Sequence, residues 1–248
     1  MLEVDPRGDN DFFKDLQVAV VGLGLMGGSL AMGLGGHCKQ ILAVDPDVRT
    51  REIAIRAGIV NQVSADPAEI LPLADLVILA APVSAILEII PALPSLHPGS
   101  LIVIDLGSTK AKICQALGKL PGRFEVVGGH PMCGKAAGGL EHAEAGLFQD
   151  SPFAFTPLPN STERALQCAQ QLADILGAKP VWTGPNTHDS WVAATSHLPY
   201  LLSSALSLAT PPEAAQLVGP GFRSTSRLAG SPSTIMLPIL ETNREQVL

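Results

Sequence analysis

A doubly wound α/β fold, a parallel sheet with helices on both faces followed by an all-helical segment, is predicted by three features of the sequence. A β-branched run passes through a glycine-punctuated turn into a helix pattern between Leu16 and Leu30. Short apolar runs then alternate with helix patterns as far as Trp182. From Thr187 onward only helical periodicity remains. Strands alternating with helices imply parallel pairing and right-handed crossovers.

The first strand is expected over Leu16 to Val21, an uninterrupted apolar run of the kind a strand buried on both faces shows. It leads into Gly22-Leu23-Gly24-Leu25-Met26-Gly27, the G-x-G-x-x-G spacing. Here the first glycine makes the tight turn, the second lets a pyrophosphate approach the backbone, and the third lets helix lie on strand. The helix that follows turns free N–H groups toward such an anion. The motif alone is weak; the flanking strand and helix give it weight. A dinucleotide-binding (Rossmann) domain is therefore expected, and residues 22–27 are its cofactor loop.

A second strand, Ile41 to Val44, ends at Asp45. That is about 20 residues past the turn, where this fold sets an acid on the ribose hydroxyls. Such an acid repels a 2′-phosphate and favours NAD, although Arg49 and Arg51 follow closely and NADP stays open. The plain alternative for Asp45 is a helix N-cap ahead of Pro46. Further strands are expected over 59–63, 76–81, 101–106, 124–127, 153–156 and 179–182, with helices between them. Ala81 and Pro82 close the fourth strand, whose carboxyl end borders the cofactor crevice. Gly184-Pro185-Asn186 is the linker candidate. It divides a dinucleotide-binding domain, 1–184 with a loose leader at 1–14, from a helical domain at 185–248.

Composition narrows the function classes. The chain has 248 residues, 46% of them hydrophobic and 16% charged, enough apolar content for a sizeable core. Its net charge is -7 and it has no basic run, so nucleic acid and anionic membrane surfaces are poor partners. The apolar stretch Leu76 to Leu93 is interrupted by Pro82, Glu88 and Pro91, which argues against a membrane span. Met1 to Lys14 is polar and acidic, unlike a signal peptide. Cys38, Cys114, Cys133 and Cys168 lie far apart, so neither a metal site nor a disulfide framework is expected. Reduced thiols in the cytoplasm are the natural reading.

Chemistry is expected at the carboxyl ends of the later strands. Ser108 follows one strand and His130 the next. A histidine poised near neutral pH can take a hydroxyl proton as hydride leaves the same carbon, and a serine can hold that hydroxyl in register. The alternatives are a loop histidine capping a backbone group and an ordinary N-cap serine. His197 sits with Ser196 in an apolar helix pattern, either at a site or as a satisfied core histidine. Arg223 and Arg227, four apart, suit a carboxylate if helical, or else form a solvated face.

Taken together, the motifs resemble the prephenate/arogenate dehydrogenases of tyrosine biosynthesis. The matching stretches are 20–31, Asp-Leu-Gly-Ser-Thr-Lys (105–110), Gly-Gly-His-Pro-Met (128–132), His-Asp (188–189), Ser-His-Leu-Pro (196–199) and Gly-Phe-Arg-Ser-Thr-Ser-Arg (221–227). They run in the family's order over nearly the whole chain. The resemblance implies oxidative decarboxylation of a cyclohexadienol, with His130 as base, Ser108 on the same hydroxyl, Arg227 on a substrate carboxylate and His197 lining the pocket. It also implies a homodimer of intertwined helical domains. Lys135 is unexpected after His-Pro-Met, Ala136 replaces an acid some members use, Tyr200 replaces a common histidine, and relatives usually continue beyond position 248. The loops most resemble cyanobacterial arogenate dehydrogenases, which often use NADP. A β-hydroxyacid or 6-phosphogluconate-type dehydrogenase would need a lysine in the helical part, and none follows Lys179. A non-catalytic NAD(P) sensor would have no use for the convergent polar residues.

Overall fold

The structure is a computed structural model that describes residues 12–135 and 137–248. Most of the leader expected at 1–14, and Ala136, lie outside the described residues. At the leader's described end Phe13 is fully buried in the core, so residues 12–14 are docked, not loose.

Eight strands form one sheet in the order β3-β2-β1-β4-β5-β6-β7-β8. They are β1 (Gln17–Val21), β2 (Gln40–Val44), β3 (Gln62–Ser64), β4 (Leu76–Leu79), β5 (Leu101–Asp105), β6 (Phe124–Pro131), β7 (Pro152–Pro157) and β8 (Lys179–Trp182). From β3 to β6 all pairing is parallel. The doubly wound expectation thus holds, with β1 and β4 flanking the point where the order reverses. The departure is β7, which runs antiparallel to β6 and carries β8 parallel to itself. That pairing draws β6 out beyond Val127. Gly128, Gly129 and His130, expected in a loop, are strand residues paired with Thr156, Phe155 and Ala154.

Two apolar layers sandwich the sheet. Leu30, Phe148, Phe153 and Leu172 pack on one face; Ile86, Leu93, Ile113 and Phe124 pack on the other. The helices of this part are α1 (Leu25–Gly33), α2 (Val48–Arg56), α3 (Pro67–Ile70), α4 (Val83–Ile89), α5 (Leu93–Leu96), α6 (Ala111–Leu117) and α7 (Glu163–Ile175). The helical stretch expected between the strands at 76–81 and 101–106 is broken after Ile89 because Pro91 cannot continue the ladder.

Beyond β8 the chain is helical: α8 (Pro185–Val192), α9 (Leu198–Ala209), α10 (Pro220–Ser226), α11 (Ser233–Thr242) and α12 (Arg244–Val247). Gly184 caps α8 and Pro185 is its first residue, so the expected linker is itself a helix start. Between α8 and α9 a π-helical turn spans Ala193–His197. Pro199, with no N–H to give, suits this widened turn, a feature common at functional sites. α11 returns to the first part and buries Ile239 in its core. No helix among the described residues is long and apolar enough to cross a membrane.

Candidate active site

The glycine turn lies against the end of β4. Gly22 has φ +95°, and a Cβ there would meet Ala80 O at 2.8 Å. A Cβ on Gly27 would lie 1.9 Å from Gly22 O, so α1 sits directly on the turn. Gly24 differs, since a Cβ there meets nothing within 4 Å and the backbone is open to a ligand. The Leu23 side chain is buried in the core, whereas Leu25 and Met26, in the first turn of α1, are half-buried. Ala81 and Pro82 form the opposite lip, half-buried and exposed respectively. Together these residues make a cradle that fits a dinucleotide's pyrophosphate.

Asp45 ties the cradle to β2. Its Oδ2 accepts from Leu23 N–H at 2.7 Å and its Oδ1 from Asp47 N–H at 2.9 Å. The N-cap of α2 is Asp47, which accepts from Thr50 N–H at 2.7 Å; Asp45 is not the cap. The Arg51 guanidinium donates to the Asp45 and Pro46 carbonyls, both at 2.8 Å.

At the ends of β5 and β6 lies a buried polar cluster. The buried Lys110 ammonium pairs with the Asp105 carboxylate and donates to Gly129 O at 2.6 Å. Asp105 also accepts from Gly107 N–H at 2.8 Å and Gly129 N–H at 3.1 Å. These bonds clamp the backbone on either side of Ser108 and just before His130. Removing one partner of such a buried pair is costly, because the other charge is left unpaired.

His130 Nδ1 meets His188 Nε2 at 2.9 Å, and His188 Nδ1 meets Asp189 Oδ1 at 2.8 Å. Asp189 in turn accepts from the N–H groups of Lys110 at 2.6 Å and Ala111 at 2.8 Å. It thereby caps α6, so Ser108 is not the N-cap of that helix. Ser108 is half-buried and its hydroxyl bonds to none of the described residues. Asn243 Nδ2 donates to Asp189 O at 2.8 Å and lies 3.2 Å from His197 Nδ1.

Burial, with His188, Lys110 and His197 nearby, holds the His130 imidazole well below the ordinary histidine range. Burial likewise lowers His197. Against its own burial, Asp189 is held below the usual carboxylate range by hydrogen bonds from His188 and the Ala111 and Lys110 amides. Both these histidines are therefore neutral at physiological pH, and the aspartate is ionised. Such a chain can accept a proton at the ring nitrogen left free.

Arg223 and Arg227 are not brought to this cluster. Both are exposed, the first on α10 and the second opening the following 3₁₀ turn. Lys135 straps its loop to the turn at Leu140–His142, donating to His142 O at 2.9 Å and pairing with Glu144 at 2.8 Å. Sequence reasoning passed over His188, Asp189 and Asn243 as site residues. The adjacent His-Asp pair in an amphipathic pattern was the available signal; nothing local marks Asp189 as the cap of a helix 78 residues upstream.

Comparison with known proteins follows the same lines. A family model described as "Prephenate dehydrogenase, nucleotide-binding domain" matches residues 30–182, and "Prephenate dehydrogenase, dimerization domain" matches 184–248. The chain is 28% identical over 243 residues to a prephenate dehydrogenase of Bacillus subtilis, covering 93% of this chain and 65% of that protein. It thus spans just under two thirds of that relative's length. The crystal structure of Synechocystis arogenate dehydrogenase superposes with TM-score 0.79 at 30% identity, covering 93% of this chain and 85% of that one. Prephenate dehydrogenase from A. aeolicus, in complex with hydroxyphenyl propionate and NAD+, superposes with TM-score 0.83 at 28% identity, covering 93% and 84%.

Proposed function

The chain belongs to the prephenate dehydrogenase family, and from that premise we propose that it oxidatively decarboxylates arogenate or prephenate in tyrosine biosynthesis, with NAD as cofactor. The observation that carries this reading is the His130–His188–Asp189 chain at the end of β6, the strand paired with β5, after which Ser108 comes. In this role His130 Nε2 accepts the proton of the ring 4-hydroxyl, and Ser108 holds that hydroxyl in line. The Gly22–Gly27 cradle would hold the pyrophosphate of a dinucleotide, whose nicotinamide would supply the hydride acceptor. As hydride and the hydroxyl proton leave, the hydroxyl carbon becomes a carbonyl; the ring carboxylate departs as CO2, its bonding electrons pass through the ring to that oxygen, and protonation there gives the phenol. His188 and Asp189 share the positive charge that forms on His130.

NAD is the cofactor we favour over NADP, because Asp45 follows β2, where an acid would repel a 2′-phosphate, and Arg51 is engaged by backbone carbonyls. His197 lines the substrate pocket. Arg227, with Arg223 beside it, grips a substrate carboxylate once two chains associate. Leu198, Leu202 and Leu208 on α9 are exposed apolar residues that pairing would cover. Free thiols at all four cysteines support a cytoplasmic location.

Cofactor reduction, followed by absorbance, tests the reading with arogenate, prephenate and a β-hydroxyacid, each offered with NAD and with NADP. Turnover of arogenate or prephenate with NAD is expected. Silence with both cyclohexadienols would overturn it.

A further inference from the structure

Two histidines are linked to Asp189, His130 through His188 and His197 through Asn243, and the partners differ in kind. We propose that Asp189 and Asn243 form a positioning hub that sets His130 and His197 in opposite tautomers, His130 bare at Nε2 and His197 protonated there.

The first arm starts at the Asp189 carboxylate. It is ionised, so it accepts only, and His188 must carry its proton on Nδ1, 2.8 Å away. In the neutral form of that ring, His188 Nε2 is then a bare acceptor. The proton in the 2.9 Å contact then belongs to His130 Nδ1. A neutral His130 so protonated presents an empty Nε2, the state a base requires.

The second arm starts at the backbone carbonyl of the same residue. A carbonyl accepts only, so the Asn243 atom 2.8 Å from Asp189 O is the amide nitrogen. Its second hydrogen lies toward His197 Nδ1 at 3.2 Å. That nitrogen must then be the acceptor, which leaves the single proton of His197 on Nε2. His197 becomes a fixed donor for a substrate oxygen while His130 remains an acceptor. Asn243 and His197 are both nearly fully buried, so water does not compete for these bonds. The hub converts one residue's two acceptors, side chain and backbone, into two different protonation states 67 positions apart in sequence.

The assignment of donor and acceptor roles to substrate rests on the function proposed above; the tautomers do not. The test is ¹H–¹⁵N spectroscopy of the full chain labelled at histidine, at neutral pH. A directly bonded proton is expected on Nδ1 of His130 and on Nε2 of His197. The same nitrogen protonated in both rings, or the reverse pairing, overturns the proposal. Asn243→Asp puts an acceptor where the donor was, and should move the His197 proton to Nδ1 while leaving His130 as it is. With a turned-over substrate this variant should raise KM about tenfold or more, the scale of a hydrogen bond to a charged group, with a much smaller change in kcat. A His197 proton that stays on Nε2 in Asn243→Asp overturns the hub. If that variant does not fold, the wild-type spectrum decides alone. Wild-type tautomers as expected with no turnover of either cyclohexadienol would remove the proposed function and keep the hub.

Discussion

His130 Nδ1 lies 2.9 Å from His188 Nε2, with the two rings inclined at 67°, and this contact leaves only Nε2 of His130 for a ligand. His130→Asn removes that nitrogen and keeps a side chain of similar polarity. We expect kcat to fall by about 10²–10⁴-fold, the usual contribution of a positioned base. The Gly22–Gly27 cradle lies at β1 and β4, two strands from β6, so NAD affinity by fluorescence titration should change little. Equal loss of turnover and cofactor binding would make His130 a structural residue.

The depressed affinity of His130 for protons has two consequences with a fixed sign. In the proposed role the active form is the neutral ring, so kcat/KM should hold at its plateau as pH falls through 6.5, the ordinary histidine value, and drop only well below it. For stability, the unfolded chain binds the proton first, and folding free energy is lost as pH falls from 6.5 toward the folded-state value. His197 adds to this in the same direction. Urea unfolding at a series of pH values, beside a kinetic pH profile, checks both. Kinetic loss already centred at pH 6.5 would contradict the buried, neutral ring.

Gly24 and Gly27 separate cofactor binding from folding. A methyl at Gly24 meets nothing in the protein, so Gly24→Ala should keep its melting temperature and lose NAD affinity, because the methyl stands where a phosphate must approach. At Gly27 the methyl would strike Gly22 O at 1.9 Å, so α1 must move off β1. Overpacking of this kind costs about 1–3 kcal/mol or more, and Gly27→Ala should melt earlier even without cofactor. Equal melting of the two variants would contradict this division.

The legible parts were those in which one local pattern serves one local structure. The buried strands β1, β4 and β5 announce themselves as unbroken apolar runs, and the glycine spacing carries its own mechanics. In the sequence β6 ends at Val127, because Gly128 and Gly129 look like a turn; only antiparallel pairing with β7, 25 or more positions on, keeps them extended. The close approach is visible in the structure, where a Cβ on Gly128 would meet Thr156 Oγ1 at 2.1 Å. His130 and Ser108 were found by their place at strand ends. Asp189 and Asn243 were not, because their work is done on residues 46–79 positions away. Such partners follow from the packing of α8 and of the junction between α11 and α12, and leave no periodic trace.

Arg227 is the residue whose proposed role depends most on assembly. It is exposed and opens the 3₁₀ turn Arg227–Gly230, which is fixed to α9 by the Ala229 N–H bond to Ser203 Oγ at 2.9 Å. The outer face of α9 carries Leu202, 62% exposed, and Leu208, 87% exposed. A second chain covering that face would confine Arg227 and lower the dielectric around its guanidinium, which strengthens a charge-assisted bond to carboxylate. We therefore expect Arg227→Ala to raise substrate KM by about 10–100-fold with a small effect on kcat. Leu202→Glu, which places a charge in the apolar face, should dissociate the pair in sedimentation and raise KM in the same way. A dissociated Leu202→Glu chain with the wild-type KM would show that Arg227 needs no second chain to meet substrate.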